Sequence, residues 1–184
     1  MRWFAGLCAA GLAFWAAQAP AAAAGITYDC DTAADHFSEL VLPAPGASFV
    51  VAGTVQLRAL ARSKTYAPIA RLQIATSSPP GQSPEAFAGF TLTALPTDSK
   101  KSTSEAVQML GYNANGREDE TVPLSVMTRP GTAQPFNLSY DGSQVVVNLG
   151  NEARTFPLKA AEPVVRILCS TGEFLFTDLV IKPR

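Results

Sequence analysis

Few residues in this chain could start a reaction. His36 is the only histidine, and it stands between Asp35 and Phe37. Nucleophilic catalysis needs a base beside a serine or cysteine, and no Gly-x-Ser-x-Gly elbow accompanies His36. It reads as an ordinary polar residue at the start of a strand. Asp29, Asp31 and Asp35 crowd around Cys30, and oxygen ligands of this kind could hold calcium, but capping and turn roles account for the same residues. The run Asn113 to Glu120 echoes a calcium loop without its terminal glutamate at the required spacing. Glycosidic hydrolysis would need two carboxylates facing each other across a cleft. Glu118, Asp119 and Glu120 are adjacent beside a turn, and Glu173 is remote in sequence, so they read as solvated acids. Nothing here calls for a catalytic residue, a metal or a cofactor.

Binding chemistry has better candidates. Tyr28, Tyr66, Tyr112 and Tyr140 each offer an apolar face with a polar tip, suited to stacking on a sugar ring or anchoring a protein partner. Tyr112 is the best of them, because the hairpin register derived below turns it to the polar face toward Asp119. The candidate ligand-binding set is therefore Tyr112, Asn113, Asp119 and Tyr66. Asn137-Leu138-Ser139 matches a glycosylation acceptor but falls inside a predicted strand.

These groups must be positioned by a scaffold, and the chain announces its compartment first. Arg2 precedes an apolar run from Trp3 to Ala17, followed by Gln18, Pro20 and small residues to Ala24. Residues 1–24 read as a signal peptide, with cleavage expected before Gly25. Cys8 lies inside this leader with Leu7 before it, which does not suit a lipoprotein site. Residues 25–184 are of a size for one domain. With 14 Lys and Arg against 15 Asp and Glu, bulk charge attracts neither nucleic acid nor anionic lipid. No later apolar run approaches the roughly 18 residues of a spanning helix, so a soluble periplasmic or secreted protein is expected. Cys30 and Cys169 then remain, an even pair in an oxidising compartment, and a disulfide between them is expected. Closing so long a loop stabilises by about 4 to 5 kcal/mol in the chain-entropy model.

Between closely spaced prolines and glycines lie short alternating runs rich in Val, Leu, Thr and Phe, with little helical periodicity. Strands are predicted over 49–60, 69–76, 87–95, 105–113, 120–128, 135–140, 143–149, 154–158, 163–169 and 174–182. Residues 31–42 are ambiguous between a capped helical turn and a lead into a strand, and 77–85 must be a loop. Three hairpins can be set by register. A turn at Asp141-Gly142 puts Leu138 opposite Val145 and Phe136 opposite Val147, with Asn137 and Ser139 on the other face. One at Asn115-Gly116 sets Met109 against Val122 and Val107 against Leu124. One at Thr171-Gly172 pairs Cys169 with Phe174 and Ile167 with Phe176. With no helices to cover the sheets, two antiparallel sheets packed face to face are expected, an all-β sandwich.

The stretch Pro135-Phe136-Asn137-Leu138-Ser139-Tyr140-Asp141-Gly142, then Val145-Val146-Val147, then Gly172-Glu173-Phe174-Leu175-Phe176-Thr177-Asp178-Leu179-Val180-Ile181, resembles the closing strands of concanavalin A-like lectin/glucanase sandwiches. The resemblance covers about the last third of the chain and implies a jelly-roll fold. That superfamily includes lectins, glycan hydrolases and adhesion modules, so fold leaves function open. Galectin-like sugar sites use a tryptophan with a histidine, but both tryptophans here, Trp3 and Trp15, are in the leader. The hydrolase branch with alternating acids on one strand finds only the adjacent Glu118-Asp119-Glu120. The leading expectation is an exported non-catalytic binding module with a glycan as ligand. An interaction or inhibitor module with an envelope protein as partner, and a hydrolase or lyase whose carboxylates converge from distant strands, stand as alternatives. Neither nucleic acid nor membrane insertion is expected, and oligomeric state is left open.

Overall fold

The computed structural model describes residues 25–96, 106–114, 123–124 and 131–184. The leader assigned to residues 1–24, the turn at Asn115-Gly116 and Asp119 lie outside them. Ten antiparallel strands run in chain order: β1 (Ile26–Pro43), β2 (Phe49–Leu60), β3 (Ile69–Thr76), β4 (Phe87–Pro96), β5 (Ala106–Ala114), β6 (Pro123–Leu124), β7 (Gln134–Tyr140), β8 (Gln144–Leu149), β9 (Glu152–Pro157) and β10 (Pro163–Pro183). Nine of them form one hydrogen-bonded path that folds over on itself, and β1 pairs with β10 beside it. Its hinge is the pair of long strands β1 and β10.

The first half of β10, residues 163–170, pairs with β3, and the second half, 172–183, pairs with β2. β1 follows β10 along both halves, with irregularities between Ile26 and Tyr28 and between Thr32 and Phe37. The front sheet is therefore β6-β5-β4-β3-β10-β1, and the back sheet β9-β8-β7-β2-β10-β1, with the two long strands passing from one sheet to the other. This is the two-layer antiparallel sandwich expected from the alternation of side chains.

The bend is built from specific residues. Alternation would bring every second side chain of β10 to the core. Val165, Ile167 and Cys169 are buried, but the next buried aromatics are Phe174 and Phe176, so the parity changes between Cys169 and Phe174. Thr171 absorbs the change at φ 58°, and Asp35 does the same for β1 at φ 63°. Thr32 stitches the two bends together: its Oγ1 donates to the Gly172 carbonyl at 2.8 Å and accepts from the Gly172 N–H at 3.1 Å. Buried backbone groups that lose their ladder partners at a bend need such substitutes. The Cys30–Cys169 disulfide joins the back-sheet half of β1 to the front-sheet half of β10, with Cα atoms 6.3 Å apart and a sequence separation of 139.

Thr171-Gly172 is thus a bend within one strand and not the tip of a hairpin. Cys169 lies opposite Ser38 and Ala70, and Phe174 opposite Cys30 and Leu57, because β1 pairs with β10 continuously on both sides of the bend. The β7–β8 hairpin also differs from expectation: Leu138 stands opposite Val147 and Phe136 opposite Leu149. That is a slip of two residues, so each side chain keeps its predicted face. The extra length is taken by Asp141, whose Oδ1 accepts from Ser143 N (2.9 Å), Ser143 Oγ (2.8 Å) and Gln144 N (2.9 Å), with Gly142 at φ 96°. Leu124 pairs with Leu110 and not with Val107.

Between the sheets aromatic rings meet across the layers. Phe90 of β4 lies 5.2 Å from Phe136 of β7, which lies 6.3 Å from Phe176 within its own back sheet, and Tyr112 of β5 lies 5.9 Å from Phe156 of β9. All of these are buried, and each aromatic side chain of this size removes on the order of 150–250 Å² from water.

Candidate functional site

If the inward positions of the front sheet are Ala70, Leu72 and Ile74 on β3, Val165 and Ile167 on β10, Ala88, Phe90 and Leu92 on β4, and Leu110 and Tyr112 on β5, the residues between them face outward. Cross-strand register arranges these in rows. One row runs Val41, Arg166, Gln73, Gly89, Asn113; the next runs Glu39, Leu168, Arg71, Thr91, Gly111. An outer sheet face usually carries exposed polar groups. Here Gln73, Thr91 and Arg166 are buried, at 7%, 9% and 8% exposure. The loop between β3 and β4 accounts for part of this, since its Gly81 and Ser83 line a groove of about 280 Å³ together with Phe37, Glu39, Ile69, Arg166, Leu168 and Ser170. The loop is held by bonds from Thr76 N to Ala86 O (2.9 Å) and from Ser77 N to Glu162 O (3.3 Å).

The polar groups of this face are unequally satisfied. Arg166 Nε donates to Glu39 Oε1 in an ion pair whose side chains are only 9% and 13% exposed. Asn113 Nδ2 donates to Thr91 Oγ1 at 3.2 Å. Arg71 and Gln73, two residues apart on β3 and so on the same face, make no hydrogen bond or ion pair among the described residues, and the Nε of Arg71 is fully buried. Burial, and then the positive charge of Arg166, hold the Arg71 guanidinium below its ordinary pKa. Gly89 completes the floor. A Cβ there would stand 2.0 Å from the Leu72 carbonyl oxygen, so β3 and β4 can approach only with glycine at that point.

Of the residues singled out from sequence, Asn113 lies on this face beside Thr91. Tyr112 does not. The strand reads as apolar at both parities, and the structure turns Leu110 and Tyr112 inward and Asn113 outward. Tyr112 is fully buried against Phe156, with Arg154 Cζ 6.0 Å from its ring centroid. Its hydroxyl has no hydrogen-bond partner among the described residues, and burial, followed by the nearby Glu152 charge, raises its pKa. Tyr66 is 58% exposed in the connection between β2 and β3, where its N–H and that of Thr65 donate to Ser63 Oγ. Asp119 lies outside the described residues. His36 is exposed at the β1 bend with Nδ1 against the Ala34 carbonyl. Among the described residues no three acids, histidines or cysteines come together as a metal site.

Arg71, Gln73, Arg166 and Glu39 were not singled out from sequence. The available signal was Arg71-Leu72-Gln73-Ile74, two long polar side chains alternating with core residues immediately before a Pro-rich loop. Arg166 and Glu39 join them only through strand order.

No protein-family model matches the sequence, and no curated protein matches it in sequence. In structure the chain is similar to a marine PL7 alginate lyase from Zobellia galactanivorans, with TM-score 0.51 at 10% identity over 79% of this chain and 65% of that one. It is similar to an alginate lyase from Alteromonas sp. 272 (TM-score 0.51, 6% identity, 74% of this chain and 72% of that one), and to the carbohydrate recognition domain of Emp47p (TM-score 0.51, 12% identity, 85% and 88%). The chain thus spans somewhat less than two-thirds of the Zobellia enzyme. These likenesses establish the fold as a concanavalin A-like jelly roll.

Proposed function

We propose that this chain is an exported, non-catalytic glycan-binding sandwich that meets its ligand on the outer face of the front sheet. The observation that carries the reading is the pair Arg71 and Gln73, polar side chains on one strand in a partly covered face that make no hydrogen bond to any described residue. Polar groups withdrawn from water without partners cost stability, and a sugar ring offers the hydroxyls that would restore those bonds. Neighbours of the same fold include a carbohydrate recognition domain and alginate lyases, which supports glycan as the ligand class. The leader-like residues 1–24 and the disulfide, a cross-link that persists in oxidising compartments, support a periplasmic or extracellular location. Among the described residues, no helix is long and apolar enough to cross a membrane.

The non-catalytic reading rests on the state of Glu39. It is the one carboxylate among the outward residues described on this face, and it is paired with Arg166. The alginate lyases among the structural neighbours favour a second reading, cleavage of a polysaccharide. A glycan array probed with the folded protein and with Gln73→Ala tests the first. Binding of one glycan class that Gln73→Ala loses, with unchanged circular dichroism, is expected, and a blank array overturns it. Release of new reducing ends from a bound polysaccharide would replace the binding reading with the catalytic one.

A further inference from the structure

The described charges of the front face do not balance. Glu39 supplies one negative charge, Arg71 and Arg166 two positive ones, and Glu39 is engaged with Arg166. Among the described residues Arg71 is left as a partly buried cation without a partner, beside a second cation, Arg166, whose charge acts on it. A lysine in this position could shed its proton; a guanidinium does not. Its burial disfavours the charged form, and its Nε is fully buried, yet the four N–H donors of the two terminal nitrogens remain in a planar fork that matches the two oxygens of a carboxylate or sulfate. The next outward residue on the strand, Gln73, brings both a donor and an acceptor for a neighbouring hydroxyl. Across the next strands, Gln73 faces Gly89 and Arg71 faces Thr91, which in turn faces Gly111, so no side chain rises beside Gln73 on β4 or beyond Thr91 on β5.

Resting on the glycan-binding reading above, we infer that the front face selects acidic glycans, with Arg71 gripping a carboxylate or sulfate of the chain, Gln73 a hydroxyl of the same or the next sugar, and Arg166 locked in place by Glu39. Arg71 is then a specificity residue whose unused donors in the free protein are its recognition surface.

The test measures binding of the folded protein to alginate and polygalacturonate (carboxylates), heparin (sulfates), and laminarin and xyloglucan (neutral), with Arg71→Gln and Arg71→Lys beside the wild type. The expected result is binding to at least one acidic polymer and not to the neutral ones. Arg71→Gln should weaken it tenfold or more, Arg71→Lys less, and added salt should weaken the wild type. Preference within the acidic set tells carboxylate from sulfate. Because Arg71 has no partner to lose among the described residues, Arg71→Gln should unfold no more easily than the wild type without ligand. Binding to a neutral glycan that Arg71→Gln leaves unchanged overturns the acidic selectivity while the glycan reading stands. Binding to none of the polymers, with the fold verified, overturns both. A large loss of unliganded stability in both variants would mark Arg71 as a structural cation and also overturn the inference.

Discussion

The two outer faces of the sandwich handle polar groups in opposite ways. On the back sheet Thr54 and Thr177 share a hydrogen bond of 2.7 Å, Asn148 Nδ2 donates to the Asn137 carbonyl at 3.4 Å, Arg184 Nη1 donates to Ser139 Oγ at 3.3 Å, and Arg58 pairs with Glu173 at 3.2 Å in an exposed setting. Its groups are small, satisfied or solvated. On the front sheet a buried ion pair sits beside an arginine and a glutamine that bond to none of the described residues. The two long strands β10 and β1 contribute to both faces, so strand membership alone does not separate them. What separates them is whether the polar groups are spent within the fold.

If that contrast is correct, the largest effect should come from Glu39→Ala. Removing the carboxylate strands the buried Arg166 charge beside Arg71, and denaturant unfolding should show a loss of about 3 to 5 kcal/mol. The corresponding change on the back face, Arg58→Ala, should cost less than about 1 kcal/mol, because an exposed pair is screened and competes with water. Equal losses at the two sites would erase the distinction between the faces.

A smaller effect of opposite sign is expected at Tyr112. Its hydroxyl is buried without a partner among the described residues, so Tyr112→Phe should keep the packing against Phe156 and raise stability by about 1 kcal/mol. The raised phenol pKa adds a pH signature. The neutral form is favoured in the fold, so the wild type keeps this stability below the ordinary phenol value and loses it as pH rises through the folded pKa. Tyr112→Phe should flatten that alkaline limb. A loss of stability in Tyr112→Phe would show that the hydroxyl is satisfied in solution.

The smallest effect lies at the hairpin tip. Bonds from Ser143 N, Ser143 Oγ and Gln144 N hold the Asp141 carboxyl down to about 2 from 3.8. A depressed carboxylate stabilises above its unfolded pKa, and that contribution disappears as pH falls from about 4 toward about 2. Thermal midpoints across this window should fall for the wild type and fall less steeply for Asp141→Ala.

Much of the scaffold was legible in the sequence. The runs 49–60 and 69–76 are strands with those bounds, because large apolar side chains recur at positions of one parity, Val51, Val55 and Leu57 in one and Leu72 and Ile74 in the other. Thr171-Gly172 misled because a local pair suited to positive φ can serve a hairpin or a bend, and the choice is made by β1 pairing with β10 on both sides of it. The face of β5 misled because Met109 and Leu110 are both apolar, and neither parity is excluded until β4 sets the register. The front-face cluster was least legible. Arg71 and Gln73 look like any solvent-facing pair on an alternating strand, and Glu39 and Arg166, on either side of them in sequence, are 127 positions apart. Strand order brings them together.

The most direct measurement is an NMR titration of the isotopically labelled protein with alginate and heparin oligosaccharides. The front-face account predicts concentration-dependent shifts in β3, β4, β5 and residues 163–170 of β10, strongest at Arg71, Gln73 and Asn113. Shifts confined to β2, β7 and β8, or none with either oligosaccharide, would contradict it.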